Sequence, residues 1–368
     1  MNHSVNDFVL FADGTCNYCN KFLSNTKYNL FKNKDFRNEK LKKLLTKIKL
    51  NSNHSKYDCI IGLSGGIDSS YSLVKAVENN LKPLAVHFDN GWNTELAQNN
   101  IFNLVKKLNV DLHTHVVDWE EYKGLMQSFF DSDVVDIELL YDNAMLAVNY
   151  NKANEENLKF ILAGTNQATE GMTMPKEWNW FKYDKKNIYN INRRYQNIKI
   201  KTFPTIGTLD YVYYEFIKKI HWVSFLDYFD YNKSEALNIL EKKYDFKPYA
   251  EKHYESFFTK FYQSFILPQK FGIDKRLVHL STLILSNQLS REEALKTLDK
   301  PFFLNEAAQK NEIKYFLKKI DWSEKDLNDY IKRKKVDHSF YGTEKKLWDL
   351  LEQFYKIFLK KLKLISDF

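Results

Sequence analysis

In "NEKLKKLLTKIKL", residues 38–50, Leu and Ile recur at helical spacing, so the chain's first marked pattern predicts a helix. From Tyr57 the pattern changes to short apolar runs alternating with longer amphipathic stretches. "YDCIIGL" predicts a buried strand, "DSSYSLVKAVENN" a helix, "KPLAVHF" a second strand and "TELAQNNIFNLVKKLN" its helix. "DLHTHVV" predicts a third strand, "ELLYDNAMLAVNYNKANEEN" a long helix and "LKFILAG" a fourth strand. This alternation predicts an α/β fold, with right-handed crossovers and a parallel sheet covered on both faces.

After about residue 210 the strands are expected to stop. "LDYVYYEFIKKIHWVSFLDYF", "SEALNILEKKY", "ESFFTKFYQSFILPQKF", "REEALKTL" and the last thirty residues all read as helices, interrupted by prolines at 248, 268 and 301. On pattern alone the chain divides into an N-terminal segment (1–55), an α/β domain (56–210) and a C-terminal helical region (211–368).

Composition narrows the class. The chain has 368 residues, 44% of them hydrophobic, enough for a sizeable core and too many for a disordered chain. No apolar run reaches about 18 residues, and the N-terminus lacks a basic-then-apolar leader, so neither a membrane span nor a signal peptide is expected. Three cysteines make no disulfide framework and fit a cytoplasmic protein. The net charge of +8 is spread along the chain, as solvated helix faces would leave it, and a nucleic-acid partner is not expected from it.

The candidate chemistry begins at "CIIGLSGGIDSS". Only 11 glycines occur in the chain, yet Gly65 and Gly66 stand together between a predicted strand and a predicted helix. Glycines there let successive N–H groups point at an anion, and the helix start adds the positive end of its dipole. Ser64, Ser69 and Ser70 add hydroxyl donors without bulk. The spacing is not that of a Walker A loop, whose lysine is missing.

SGGIDS at this place resembles the pyrophosphate (PP) loop of the N-type ATP pyrophosphatases, which include NAD, GMP and asparagine synthetases and several tRNA-modifying enzymes. The resemblance implies a parallel-sheet PP-loop domain in which Ser64, Gly65, Gly66, Ser69 and Ser70 hold the pyrophosphate of ATP and Asp68 contacts Mg²⁺. "GTNQATE", Gly164 to Glu170, resembles the corresponding segment of NAD synthetase. It implies Gly164 and Thr165 beside the nucleotide and Glu170 as a second Mg²⁺ ligand. "HFDNGW" stands where that superfamily grips the adenosine, which makes His87 and Asp89 candidates.

"HFDNGWNTELAQNNI", "AGTNQATEGMTMP", "KHYESFFTKFYQSFILPQKFGIDKR" and "HLSTLILSNQLSREEAL" together resemble the N-acetyl sugar amidotransferases of surface-glycan biosynthesis, over about residues 13–301. The resemblance implies an ATP-dependent enzyme acting on lipopolysaccharide O-antigen sugars or on pseudaminic or legionaminic acids of flagellin. It would convert an N-acetyl group to an acetamidino group, forming AMP and pyrophosphate, on an activated or free N-acetylated sugar. Lys252, His253, Glu255, Lys275 and Arg276 are then the sugar-side candidates, Lys275 and Arg276 foremost, with Arg193 and Arg194 behind them. No glutaminase nucleophile is evident, so ammonia is expected free or from a separate glutaminase subunit. Cys16 and Cys19 resemble half of a zinc knuckle; the family's upstream C-x-x-C is absent from this sequence, which leaves zinc open. A tRNA-modifying enzyme and a non-catalytic nucleotide-binding subunit are the alternative readings.

Overall fold

The computed structural model describes the chain except residues 26–31, 53–54, 250–253 and 367–368, with side chains of the last helix described as far as Ile357. Among the described residues the elements run α1 (Asn17–Leu23), α2 (Lys34–Asn51), β1 (Cys59–Gly62), α3 (Ile67–Glu78), β2 (Pro83–Asp89), α4 (Glu95–Leu108) and β3 (Leu112–Val116). Then come α5 (Trp119–Asp131), α6 (Leu139–Glu155), β4 (Phe160–Ala163), the one-turn α7 (Gln167–Glu170), α8 (Lys185–Arg194), α9 (Thr208–Val212) and β5 (His221–Ser224). Helices α10 (Lys233–Tyr244), α11 (Phe257–Phe261), α12 (Arg276–Leu285), α13 (Arg291–Leu298), α14 (Glu306–Ile320), α15 (Glu324–Lys332) and α16 (Lys345–Ser366) complete the chain.

All strand pairs are parallel, in the order β3-β2-β1-β4-β5. The expected α/β class and parallel sheet are therefore what the chain forms. Neighbouring strand residues face opposite layers, as the two-residue period of a strand requires. Ile60, Leu84, Val86, Phe88 and Ile161 belong to the core shared with α5, α6 and the C-terminal helices. Cys59, Ile61, Leu63, Ala85, Phe160 and Leu162 belong to the core shared with α2, α3, α4 and α10. Both faces are buried, which is why these strands read as continuous apolar runs. α2 is anchored by Ile48, which is fully buried, and by Lys49 and Ser52, which bond to Asp58 just before β1.

One expectation is corrected. A fifth strand, β5, lies past residue 210 and pairs with β4 from Phe160↔His221 to Ala163↔Ser224. The helix expected over 209–229 instead breaks into α9, a π turn over Tyr213–Ile217, β5 and a short 3-10 turn over Phe225–Tyr228. The break falls near Lys219, which takes a left-handed φ of 56° without a glycine or proline to announce it. α5 is also an addition to the elements that the sequence pattern predicts. Among the described residues no helix is long and apolar enough to cross a membrane.

Candidate functional site

The sheet places the site. From β1 the chain winds outward through β2 and β3, then crosses back to β4 on the other side of β1. β1 and β4 thus form the topological switch point, where open parallel sheets leave a crevice beyond the strand ends. A cavity of about 590 Å³ opens there, lined by Ser64, Gly66, Asp68, Ser69, Gly164, Thr165 and Glu170 and, from the C-terminal half, by Lys233, Glu255, Gln263 and Lys275. That volume is in the range of small-molecule sites.

The turn between β1 and α3 is held by its own serines. Ser64 Oγ accepts the Gly66 N–H at 3.2 Å and lies 3.0 Å from Ser69 Oγ, which in turn bonds to Gly66 O. Gly65 has φ +86°, a conformation that L side chains rarely adopt, and Tyr249 donates its hydroxyl to the Gly65 carbonyl at 2.9 Å. Gly164, at the end of β4, packs against the start of α3 so closely that a Cβ there would stand 2.6 Å from Ser69 N. The two loops are therefore one fitted unit. Gly66 caps α3 without a side-chain cap, and the first turn of the helix, Ile67, Asp68 and Ser69, lines the cavity, where an anion would meet a helix N-terminus.

Asp68 lines the cavity, and its carboxylate accepts the Tyr231 hydroxyl on one oxygen while Thr169 Oγ1 stands 3.5 Å from the other. Burial, with Asp68 and Glu170 close by, pushes the Tyr231 hydroxyl far above its ordinary range, so it remains a donor. Asp68 and Glu170 present hard oxygen ligands from the two loops that meet at the switch point. Such a set suits Mg²⁺, which takes one or two carboxylates and completes its shell with phosphate and water oxygens. Lys233 and Tyr231, which lie in no motif of the sequence, supply a cation and a carboxylate brace.

Other expected residues sit differently. Ser70 is fully buried inside α3, its hydroxyl without a partner among the described residues, and does not line the cavity. His87 and Asp89 stand behind the wall: His87 Nδ1 donates to Leu63 O at 2.7 Å, and Asn93 Nδ2 bonds to both His87 Nε2 and Asp89 Oδ1. Burial holds the His87 imidazole below its ordinary value and hence neutral at pH 7, and the cavity is lined by Asn90 and Asn93 instead. Thr165 Oγ1 lies 3.2 Å from Ser224 Oγ, at the end of β5.

On the other side, Glu255 stands beside the phosphate turn, its Oε1 3.4 Å from where a Gly66 Cβ would be. Lys275 is buried and paired with Glu138, which also takes Gln263 Nε2 at 3.0 Å. Arg276 does not line the cavity. Its guanidinium chelates Asp274, donates to the carbonyls of Thr297, Leu298 and Lys300 at the end of α13, and lies 3.8 Å from the Phe302 ring centre. It fastens α13 to α12 and has no donor directed at a substrate. Arg193 and Arg194 end α8, with Arg194 over the rings of Phe340 and Tyr341. Lys252 and His253 lie outside the described residues.

Cys16 and Cys19 do meet, Sγ to Sγ 3.1 Å, with Cys16 accepting the Cys19 N–H. Two thiols are half of a structural zinc shell, and among the described residues no group of three His, Cys, Asp or Glu side chains is placed to hold a metal. Among the described residues the two thiols do not complete a zinc shell.

Fold and site together define a parallel α/β protein whose phosphate-type turn and carboxylate pair share one cavity with its C-terminal helices. Residues 255–355, which supply one wall of that cavity, match the family model described as LPS biosynthesis protein WbpG-like, C-terminal domain. Among solved structures the chain is similar to the NMN synthetase of Francisella tularensis, with 15% identity and a TM-score of 0.31, over 60% of this chain and 99% of that one. It is also similar to an NH3-dependent NAD synthetase from Campylobacter jejuni subsp. jejuni NCTC 11168 in complex with the nitrate ion, with 16% identity and a TM-score of 0.29, over 58% and 94%. No curated protein matches the chain.

Proposed function

We propose that the protein is an ATP-dependent, AMP-forming amidotransferase that converts a sugar N-acetyl group into an acetamidino group during surface-glycan biosynthesis, in the cytoplasm. One observation carries the reading. The phosphate turn and the 255–355 region, similar to an LPS biosynthesis domain, wall a single cavity, so nucleotide and sugar would meet there.

The chemistry explains the need for both. An amide oxygen is a poor leaving group, and transfer of AMP to it makes it a good one, after which ammonia can displace AMP at the carbon. Ser64, Gly65, Gly66 and Ser69 would hold the departing pyrophosphate, with Lys233 adding a positive charge. Asp68 and Glu170 would hold Mg²⁺, which when bound neutralises phosphate charge. Lys275, carrying its Glu138 partner, would face the sugar, and Glu255 would stand between the sugar and the phosphate turn. Removal of one well-placed donor to developing charge costs about 3 kcal/mol of barrier.

The test is mass spectrometry of reactions with ATP, Mg²⁺, ammonium and a panel of N-acetylated sugars, free and nucleotide-linked. Replacing oxygen by NH lowers the sugar's mass by about one unit, with AMP formed in step, as this exchange requires. AMP without a sugar product would move the search to other substrates, tRNA first. No ATP cleavage under any condition would overturn the reading.

A further inference from the structure

The cavity has a second charged region to which the phosphate chemistry assigns no role. Three carboxylates, Asp136, Glu138 and Asp142, meet two ammonium groups, Lys182 and Lys275, around the start of α6. Lys182 Nζ lies 2.6 Å from Asp136 Oδ2 and 2.8 Å from Asp142 Oδ2, while Lys275 is held by Glu138. Burial works against the Lys182 charge, but the Asp136 and Asp142 carboxylates outweigh it and keep the group charged, and burial lowers His338, beside Asp136, to about 4 and so keeps it neutral. Tyr122 of α5 and Tyr141 of α6 have hydroxyls raised by burial and stay neutral as well. Among the described residues of this cluster, three negative charges against two positive leave one negative charge uncompensated.

Two of the carboxylates cannot use it. Asp136 is sealed, with its Oδ1 buried and, among the described residues, without a hydrogen-bond partner. Glu138 is engaged by Lys275 and Gln263. Asp142 differs: its side chain is 35% accessible, it lines the cavity, and among the described residues no donor but Lys182 reaches its carboxylate. Burial, with Asp136 and Glu138 near, pushes its carboxyl above the ordinary value against the pull of Lys182. A raised carboxyl is a better proton acceptor than a solvated one.

We propose that Asp142 is the docking point and proton acceptor for the nitrogen donor, ammonium, in the same cavity. The inference rests on the amidotransferase reading. Ammonium has no lone pair, and the uncompensated charge draws it to Asp142, which takes one N–H proton and becomes a neutral acid. The freed lone pair forms the C–N bond at the adenylated carbon. The C–O bond to AMP then breaks with its electron pair on the phosphate oxygen, which also takes the second N–H proton. The product is an amidinium cation, and Asp142, after releasing its proton to water, faces it as an anion.

Asp142→Asn, in the full chain, separates this role from packing. Ammonium and hydroxylamine are compared as nucleophiles, because hydroxylamine is a much weaker base and is unprotonated at neutral pH. The expected result is a loss of about 100-fold with ammonium, the scale of a general base, at a rate with hydroxylamine close to that of the wild type. Raising the pH should recover the ammonium reaction, as free ammonia accumulates. Equal losses with both nucleophiles, or an undiminished ammonium rate, overturn the proposal. If Asp142→Asn does not fold, Asp142→Glu, which displaces the carboxylate, is read by the same ratio. Wild-type protein that makes no product with either nucleophile overturns the amidotransferase reading and this proposal with it.

Discussion

Gly164→Ala adds one methyl group at the point where β4 touches the phosphate turn. The new Cβ would lie 2.6 Å from Ser69 N, 2.7 Å from the Asp68 carbonyl carbon and 2.8 Å from Ser69 Cα, whereas ordinary contact begins at 3.4 Å. All three are backbone atoms of α3, so no side chain can rotate away; the turn itself must retreat by about 0.8 Å. Overpacking of this kind costs about 1–3 kcal/mol of stability, and a displacement near 1 Å at a positioned site costs about 100-fold in rate. Gly66→Ala is the control, because its Cβ would meet only the ends of Ser64 and Glu255, at 3.3 and 3.4 Å. Thermal unfolding with and without ATP–Mg²⁺, together with pyrophosphate release, reads both effects. Gly164→Ala should unfold earlier, gain little from nucleotide and release pyrophosphate about 100-fold more slowly, whereas Gly66→Ala, the control for packing alone, should unfold close to wild type. A Gly164→Ala protein with wild-type unfolding temperature and nucleotide affinity would refute the claim that the two loops are one fitted unit.

Asp68→Asn keeps the shape and the Tyr231 contact but removes the charge; Mg²⁺-dependent pyrophosphate release should fall at least about 100-fold, and a loss under about tenfold would remove Asp68 from the metal site. Lys275→Met strands the buried Glu138 and should cost about 3–5 kcal/mol in denaturant unfolding. The double variant Lys275→Met with Glu138→Gln should lose less than that single one, and simple additivity would show that the pair is not coupled. Asp58→Asn loosens α2 from β1. Burial pushes the Asp58 carboxyl up, but the Lys49 ammonium, the Ser52 hydroxyl and the Lys82 N–H outweigh it and hold the group below its ordinary value. A depressed carboxyl stabilises above the unfolded value of about 4 and loses that contribution as pH falls through the folded value. The deficit of about 1–3 kcal/mol in Asp58→Asn should therefore be full at pH 7 and shrink on acidification, and a pH-independent deficit would contradict the assignment.

The phosphate turn was legible because its signal is local: two glycines and three serines lie within one strand-to-helix junction, and the strand before it is apolar on both faces. β5 was not, because His221–Ser224 is half-buried, without a clean alternation, and sits inside an aromatic-rich run with no glycine or proline. α5 contains Gly124, which argues against a helix on propensity; the structure uses it to let Ile198 approach, with its side chain 3.1 Å from where a Cβ would be. Among charged residues the error has one cause. Arg276 stood out as a basic residue, yet Asp274 two positions earlier was already its partner. Asp142 and Lys182 looked like any charge on a helix or loop, and only the crossovers from β3 to β4 and from β4 to β5 bring them together at the cavity.

The C-terminal half is what makes the turn a site. Residues after 210 finish the sheet through β5 and fix Gly65 through Tyr249. They also extend the chain after β2: Asn93 bridges Ser256, Thr94 donates to Glu255 O at 3.0 Å, and Phe257 donates to Trp92 O at 2.9 Å. Trp92 is fully buried against Phe257, Phe258 and Phe316, rings from two helices of the 255–355 region. These aromatic contacts join the wall that would hold the sugar to the strand end that shapes the nucleotide side. A ligand that moved α11 would therefore strain the β2–α4 loop and, through Ala97 against Gly65, the phosphate turn itself. Coupling between the two halves of the cavity needs no hinge in such an arrangement, because one packed seam borders both.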